Sequence, residues 1–184
     1  MKIQTFQNDT RSLNTLFVFH DFLRNDKKIK TVLSEIKKNT KKDMMHHRTN
    51  VKATMSEYNS LLIKELDFFW YKVTDLLNIL VKTVTRDPKS FNYFIDDAWA
   101  MKHEAQDFTV PHVHYPYQWS GAYYVEVPNS DTCINFSEVN ANIKLENNLL
   151  LLFPSTFSHY VNPSKEKGSR YSLAFNITTN SNEN

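Results

Sequence analysis

Glycine is nearly missing from this chain: Gly121 and Gly168 are the only two in 184 residues. Turns that need left-handed backbone geometry must then fall to asparagine or aspartate, which tolerate it. Asn147-Asn148 is one such place. The lone cysteine, Cys133, excludes an internal disulfide and points to a reducing compartment. Long apolar runs are also lacking. The longest, LLLLFP at 149–154, falls far short of the roughly 20 residues that cross a bilayer. The opening MKIQTFQNDT has no apolar core of a signal peptide. A soluble, cytoplasmic protein with no membrane partner is expected.

What is present suits a globular domain. Apolar residues make up 41% of the chain and aromatic residues 14%, and a chain of this length can bury about two-thirds of its unfolded surface. The small net charge of +2 hides an asymmetry: residues 1–86 carry +7 and residues 87–184 carry −5. Most of the basic excess lies between Arg24 and Lys52. Such a patch could hold nucleic acid or an acidic partner. No aromatic residues interleave with its charges, so a solvated helix face and loop is the preferred reading.

Two textures meet near residue 87. LFVF at 16–19 suits a strand. Residues 21–38 space their apolar side chains helically, with Asp21 as the expected N-cap. Residues 39–54 read as a basic loop. Glu57 to Val84 carries a broad apolar helical face, as one helix or two, and ends at Arg86-Asp87-Pro88. Beyond Pro88 the period becomes two, and short β-branched or aromatic runs follow one another without helices. The expected fold class is α+β: a jelly-roll core at 87–178, supporting helices at 1–86, and a frayed tail at 179–184, all in one domain.

Three imidazoles and an arginine stand out in the last third. His112 and His114 share one face of a strand by the i, i+2 rule, with Pro111 and Pro116 suggesting a strand end at a barrel mouth. His159 follows about 45 residues later, and a jelly roll can bring such distant strand ends into one pocket. Three histidines could hold Zn, Fe, Cu or Ni. Arg170 opens the last strand and shares its face with Ser172, which together make a site for an anionic carboxylate. Tyr123 or Tyr124 could add a phenol hydrogen bond. Tyr115, Tyr117 and Trp119 flank the first histidine pair, as packing or as a substrate platform. His20, His46, His47 and His103 are poorer candidates, although His103 could approach the pocket from the strand carrying Trp99.

At these segments, PHVHYPYQWSGAYYVEVP, LLLLFPSTFSHYVNP and SRYSLAFNI, the chain resembles the Fe(II)- and 2-oxoglutarate-dependent dioxygenases. The likeness is to a short, uncharacterised branch common in marine phages and bacteria. With the strand AWAMKH it spans residues 98 to 177. The resemblance implies a double-stranded β-helix, with His112 and His159 as iron ligands. It puts His114 where the wider superfamily has the carboxylate of H-x-D. It implies that Arg170, supported by Ser172, pairs with the distal carboxylate of 2-oxoglutarate. The implied activity is hydroxylation of an amino-acid side chain or small metabolite, consuming O2 and releasing succinate and CO2. The compartment would be a host cytoplasm if the protein is phage-encoded.

His114 departs from the usual two-histidine, one-carboxylate triad. Either three histidines serve, or Asp107 or Glu126 supplies the carboxylate, or the domain binds metal without turnover. Two further alternatives stay open: a cupin-like three-histidine metalloenzyme that does not use 2-oxoglutarate, and a non-catalytic virion or interaction module.

Overall fold

The computed structural model describes residues 1–7, 14–40, 50–85, 92–128, 131–165 and 167–180. The β-rich half folds as its alternation predicts, into β5 (Asn92–His103), β6 (Phe108–His112), β7 (Trp119–Glu126), β8 (Cys133–Phe136), β9 (Ala141–Lys144), β10 (Leu149–Pro154), β11 (His159–Val161) and β12 (Arg170–Asn180). β12 continues through residues 179 and 180, which were expected to be tail.

The N-terminal half is more than a helical layer. It adds β1 (Lys2–Gln7), β2 (Thr15–His20), β3 (Val51–Lys52) and β4 (Thr54–Met55) to its helices α1 (Asp26–Asn39) and α2 (Asp67–Thr85). A seven-stranded sheet runs β1-β2-β10-β7-β12-β5-β4, and a five-stranded sheet runs β3-β6-β11-β8-β9. The ladders are antiparallel, so the architecture is the expected two-sheet jelly roll.

The central strands of the large sheet are buried on both faces, which explains why β7 and β10 read as continuous apolar runs. One face carries Trp119, Tyr123, Leu150, Leu152, Leu173 and Phe175, packed against helix residues such as Phe69, Trp70, Val73 and Leu77. The other face carries Ala122, Tyr124, Leu149 and Leu151, packed against Ile134, Phe136 and Ile143 of the small sheet. Gly121 is glycine for a packing reason. A Cβ there would lie 2.2 and 2.3 Å from atoms of the Phe175 ring, inside any tolerable contact.

α1 begins five residues later than its apolar spacing suggests. Asn25 is the N-cap, its Oδ1 accepting from the Lys28 N–H at 3.2 Å. Asp21 instead takes φ 51° in a turn. The chain after it is held to Asn148: the Phe22 N–H donates to the Asn148 carbonyl, and the Leu23 N–H donates to Asn148 Oδ1. An N-cap takes extended backbone, which Asn25 has (φ −114°, ψ 112°) and Asp21, in the left-handed region, does not. The 57–84 segment resolves into turns, a 3-10 turn (Lys64–Leu66) and α2. The proline stop at 86–88 lies outside the described residues, as do residues 41–49 with His46 and His47.

Candidate metal centre and anion pocket

His112 ends β6, and His159, at the start of β11, faces it in register. His114 sits two residues on, in a turn pinned to the end of β10. The His114 N–H donates to the Ser155 carbonyl at 2.8 Å, and the Ser155 N–H donates to the Gln118 carbonyl at 3.1 Å. These bonds close the strand ends over one another. One nitrogen of each imidazole lies within 4.8 Å of one from each of the other two. His114 Nε2 is 3.3 Å from His159 Nε2, and the ring centroids are 4.3 to 5.1 Å apart.

The orientation of two rings is fixed from behind. His112 Nδ1 donates to the Val110 carbonyl at 2.9 Å, and His159 Nδ1 donates to the Phe157 carbonyl at 3.1 Å. A carbonyl can only accept, so Nδ1 carries the proton and Nε2 keeps its lone pair. That is how a metal-binding imidazole is ordinarily supported. Burial holds all three rings neutral. It lowers His112, takes His114 down to about 3, and puts His159 well below the usual imidazole range; the neighbouring imidazoles add to the effect on His114 and His159. Phe153 and Phe136 back His159, and Trp99 packs on His114 with centroids 5.9 Å apart. Three neutral nitrogen donors with supported tautomers fit a divalent transition metal.

The same cavity, of about 600 Å³, reaches Arg170, Tyr124 and His103. Arg170 is 6% exposed and stands opposite His103 in the β12–β5 ladder. His103 is 4% exposed, and burial, reinforced by the Arg170 charge, keeps it neutral. Neither ring nitrogen of His103 has a hydrogen-bond partner among the described residues, nor does the fully buried Ser172 Oγ. Burial pushes the Tyr124 phenol up to about 12, against the pull of Arg170. A buried cation beside polar groups lacking partners fits a carboxylate that would occupy the space between them.

Some sequence expectations separate here. Of the two tyrosines, Tyr124 lines the cavity. Tyr123 points the other way, packs against Phe22 and Phe69, and donates to Asn148 Oδ1 at 2.8 Å. It is a core residue because it sits one position out of phase on β7. Trp119 shares that outward phase and packs on Phe17. Glu126 is ion-paired with Lys37 at 2.9 Å, and Asp107 accepts from the Glu104 N–H at 2.8 Å. Neither carboxylate joins the histidine group. His20 is held by Glu146, away from the site.

The sequence reading missed Asp97. It shares its inward phase on β5 with Trp99, Met101 and His103, and the signal was available in that i, i+2 alternation.

No family model and no curated protein matches the sequence. Solved structures do match the fold. The viral collagen prolyl hydroxylase vCPH of Paramecium Bursaria Chlorella virus-1, in its 2OG complex, has a TM-score of 0.64 at 12% identity, covering 88% of this chain and 94% of that one. A Pseudomonas putida prolyl-4-hydroxylase has a TM-score of 0.64 at 13% identity, covering 89% and 91%. A Trichoplax adhaerens prolyl hydroxylase, in complex with a hypoxia inducible factor peptide fragment, has a TM-score of 0.59 at 15% identity, covering 90% and 84%. Among the described residues, no helix is long and apolar enough to cross a membrane. The chain therefore has the double-stranded β-helix fold of the 2OG-Fe(II) oxygenases, with three histidines gathered where they could bind a metal.

Proposed function

We propose that this protein is an Fe(II)- and 2-oxoglutarate-dependent oxygenase that hydroxylates an amino-acid side chain or a small metabolite. His112, His114 and His159 would hold the iron. Arg170 and Ser172, with Tyr124 in place of Tyr123, would hold the far carboxylate of 2-oxoglutarate. The observation that carries this reading is that the three imidazoles and the buried arginine open onto one cavity.

Once bound, the iron and keto acid supply O2 activation for C–H hydroxylation, with release of succinate and CO2. The chain's own residues prepare that chemistry. Val110 and Phe157 carbonyls keep the Nε2 atoms of His112 and His159 in the donor state. Arg170 fixes one end of an elongated dianion, and Ser172 offers it a hydroxyl donor. The apolar walls from Met55, Ile134, Phe153 and Val161 exclude water and strengthen each charged contact. Three neutral imidazoles bring no negative charge to the metal, so its compensation would fall to the near carboxylate of the keto acid, the far one being held by Arg170.

That neutral third ligand also favours a second reading, a cupin-like metalloenzyme that leaves 2-oxoglutarate unused. Release of labelled CO2 from 1-14C-2-oxoglutarate separates the two. Iron-dependent release that disappears in Arg170→Ala supports the oxygenase. Oxygen consumption that is undiminished in Arg170→Ala supports the second reading.

A further inference from the structure

The cavity is charged oppositely at its two ends. Among its described lining residues, Arg170 is the one Lys or Arg and Asp97 is the one carboxylate. Both face inward on neighbouring strands, β12 and β5, but well apart along the ladder: Arg170 pairs with His103 at one end, and Asp97 pairs with Asn176 near its middle. Six residues of strand separate Asp97 from His103, roughly 20 Å at the usual rise. Trp99 lies between them, two residues from Asp97, and its ring is the one packed on His114. The metal-binding group thus sits between an anion-accepting end and a carboxylate-bearing end.

The surroundings of Asp97 are aromatic. Tyr117 donates its hydroxyl to Asp97 Oδ2, and that bond, more than any other influence, pushes the phenol up and keeps it protonated. Tyr58 also lines the cavity and meets Trp99 edge-on at 5.2 Å, and Tyr115, 79% exposed, is a further aromatic lining residue. Aromatic faces around a carboxylate attract an organic cation and tolerate its aliphatic stem. An independent observation also points to a ligand here. Trp99 is 6% exposed, and its indole N–H is buried without a hydrogen-bond partner among the described residues. A ligand that satisfies it must carry an acceptor, such as a carbonyl or carboxylate, as well as a cation.

We infer that the prime substrate carries an ammonium or guanidinium group on an aliphatic stem, as a basic amino acid or a basic residue in a peptide does. Asp97 and the tyrosines hold the cation, and the stem runs past Trp99 toward the histidines. This rests on the oxygenase reading for its chemistry, but its binding component can be measured alone.

The test is calorimetric titration of the full chain with capped Gly-X-Gly tripeptides, where X is Lys, Arg, norleucine or Glu. Free L-lysine, L-arginine and L-norleucine form a second arm that separates free amino acid from peptide. Lysine or arginine binding at least tenfold tighter than norleucine in either arm is expected. Asp97→Asn should bring that ratio close to one, while Asp97→Glu and Tyr117→Phe, which keep the carboxylate, retain it. Equal binding of lysine, arginine and norleucine, no binding in either arm, or a preference that survives in Asp97→Asn overturns the inference. Should Asp97→Asn fail to fold, the wild-type ratios and the Asp97→Glu variant still decide it. Titration with 2-oxoglutarate on the same preparations keeps the two ideas apart. Binding of 2-oxoglutarate without a cation preference sinks only this inference, and the reverse sinks only the oxygenase reading.

Discussion

His112 and His159 face each other across the β6–β11 ladder, and each gives its Nδ1 proton to the carbonyl two residues before it. The two strands thus present matched, pre-oriented Nε2 atoms from opposite directions, and His114 completes the group from the turn. Replacing His112 or His159 with alanine should weaken Fe(II) or Co(II) binding by more than the roughly 10–100-fold that loss of an outer-shell partner costs. His114→Asp, which restores a carboxylate, should keep the metal. Cobalt absorption titrations read both outcomes, and undiminished binding in His159→Ala would remove the proposed centre.

Arg170 and Ser172 should separate affinity from stability. Truncating a buried charge that pairs with a ligand carboxylate costs about 2–5 kcal/mol, so Arg170→Ala should weaken 2-oxoglutarate binding by about 30-fold or more. Ser172→Ala removes a buried hydroxyl that has no partner among the described residues, so its unfolding midpoint in urea should stay level or rise. Its affinity for 2-oxoglutarate should nevertheless fall. A loss of stability with unchanged affinity would argue that the hydroxyl serves the fold.

Acid should destabilise the metal-free protein. The folded state keeps His103 and His159 neutral well below the usual range, and His114 down to about 3. The unfolded chain protonates the same groups below about pH 6.5. The unfolded state therefore binds more protons, and stability falls as pH drops from 7 towards 5. Urea denaturation across this range should show that slope. His103→Leu should reduce it by up to about 1.4 kcal/mol per pH unit, and an unchanged slope would mean that His103 is solvated.

Gly121→Ala should destabilise by about 1–3 kcal/mol, the usual cost of forcing atoms into a packed core. Phe175→Leu costs stability alone, yet it should relieve part of the Gly121→Ala loss, because the clash is with that ring. Additive losses in the double variant would show that the crowding lies elsewhere.

The grouping of the histidines was legible because a jelly roll gathers strand ends; the strand period expected to align His112 with His114 stops at His112, and His114 joins from the following turn. The turn reading at Asn147-Asn148 also holds: Asn148 takes φ 62°, the geometry glycine would otherwise supply. The choice between Tyr123 and Tyr124 was not legible. β7 is buried from Trp119 to Val125, so no polar alternation reveals which phase faces the cavity. The start of α1 was not legible because both Asp21 and Asn25 are residue types that cap, and the left-handed turn that removes Asp21 is a backbone feature the side chains do not announce. β1 escaped notice because KIQTFQ is mostly exposed at a sheet edge and carries no apolar rhythm.

The seating of β2 against β10 has a consequence in time. Phe17, Val18 and Phe19 pair with Leu152, Leu151 and Leu150, so the large sheet joins residues separated by more than 130 positions. On a ribosome adding about 5–20 residues per second, β2 waits several seconds for the strand it pairs with. During that wait β1 is the sheet neighbour already made, and the other edge of β2 has no strand beside it. Folding of this chain is thus gated by synthesis of its last third, the part that also carries His159 and Arg170, and pairing with so large a sequence separation is slow in itself.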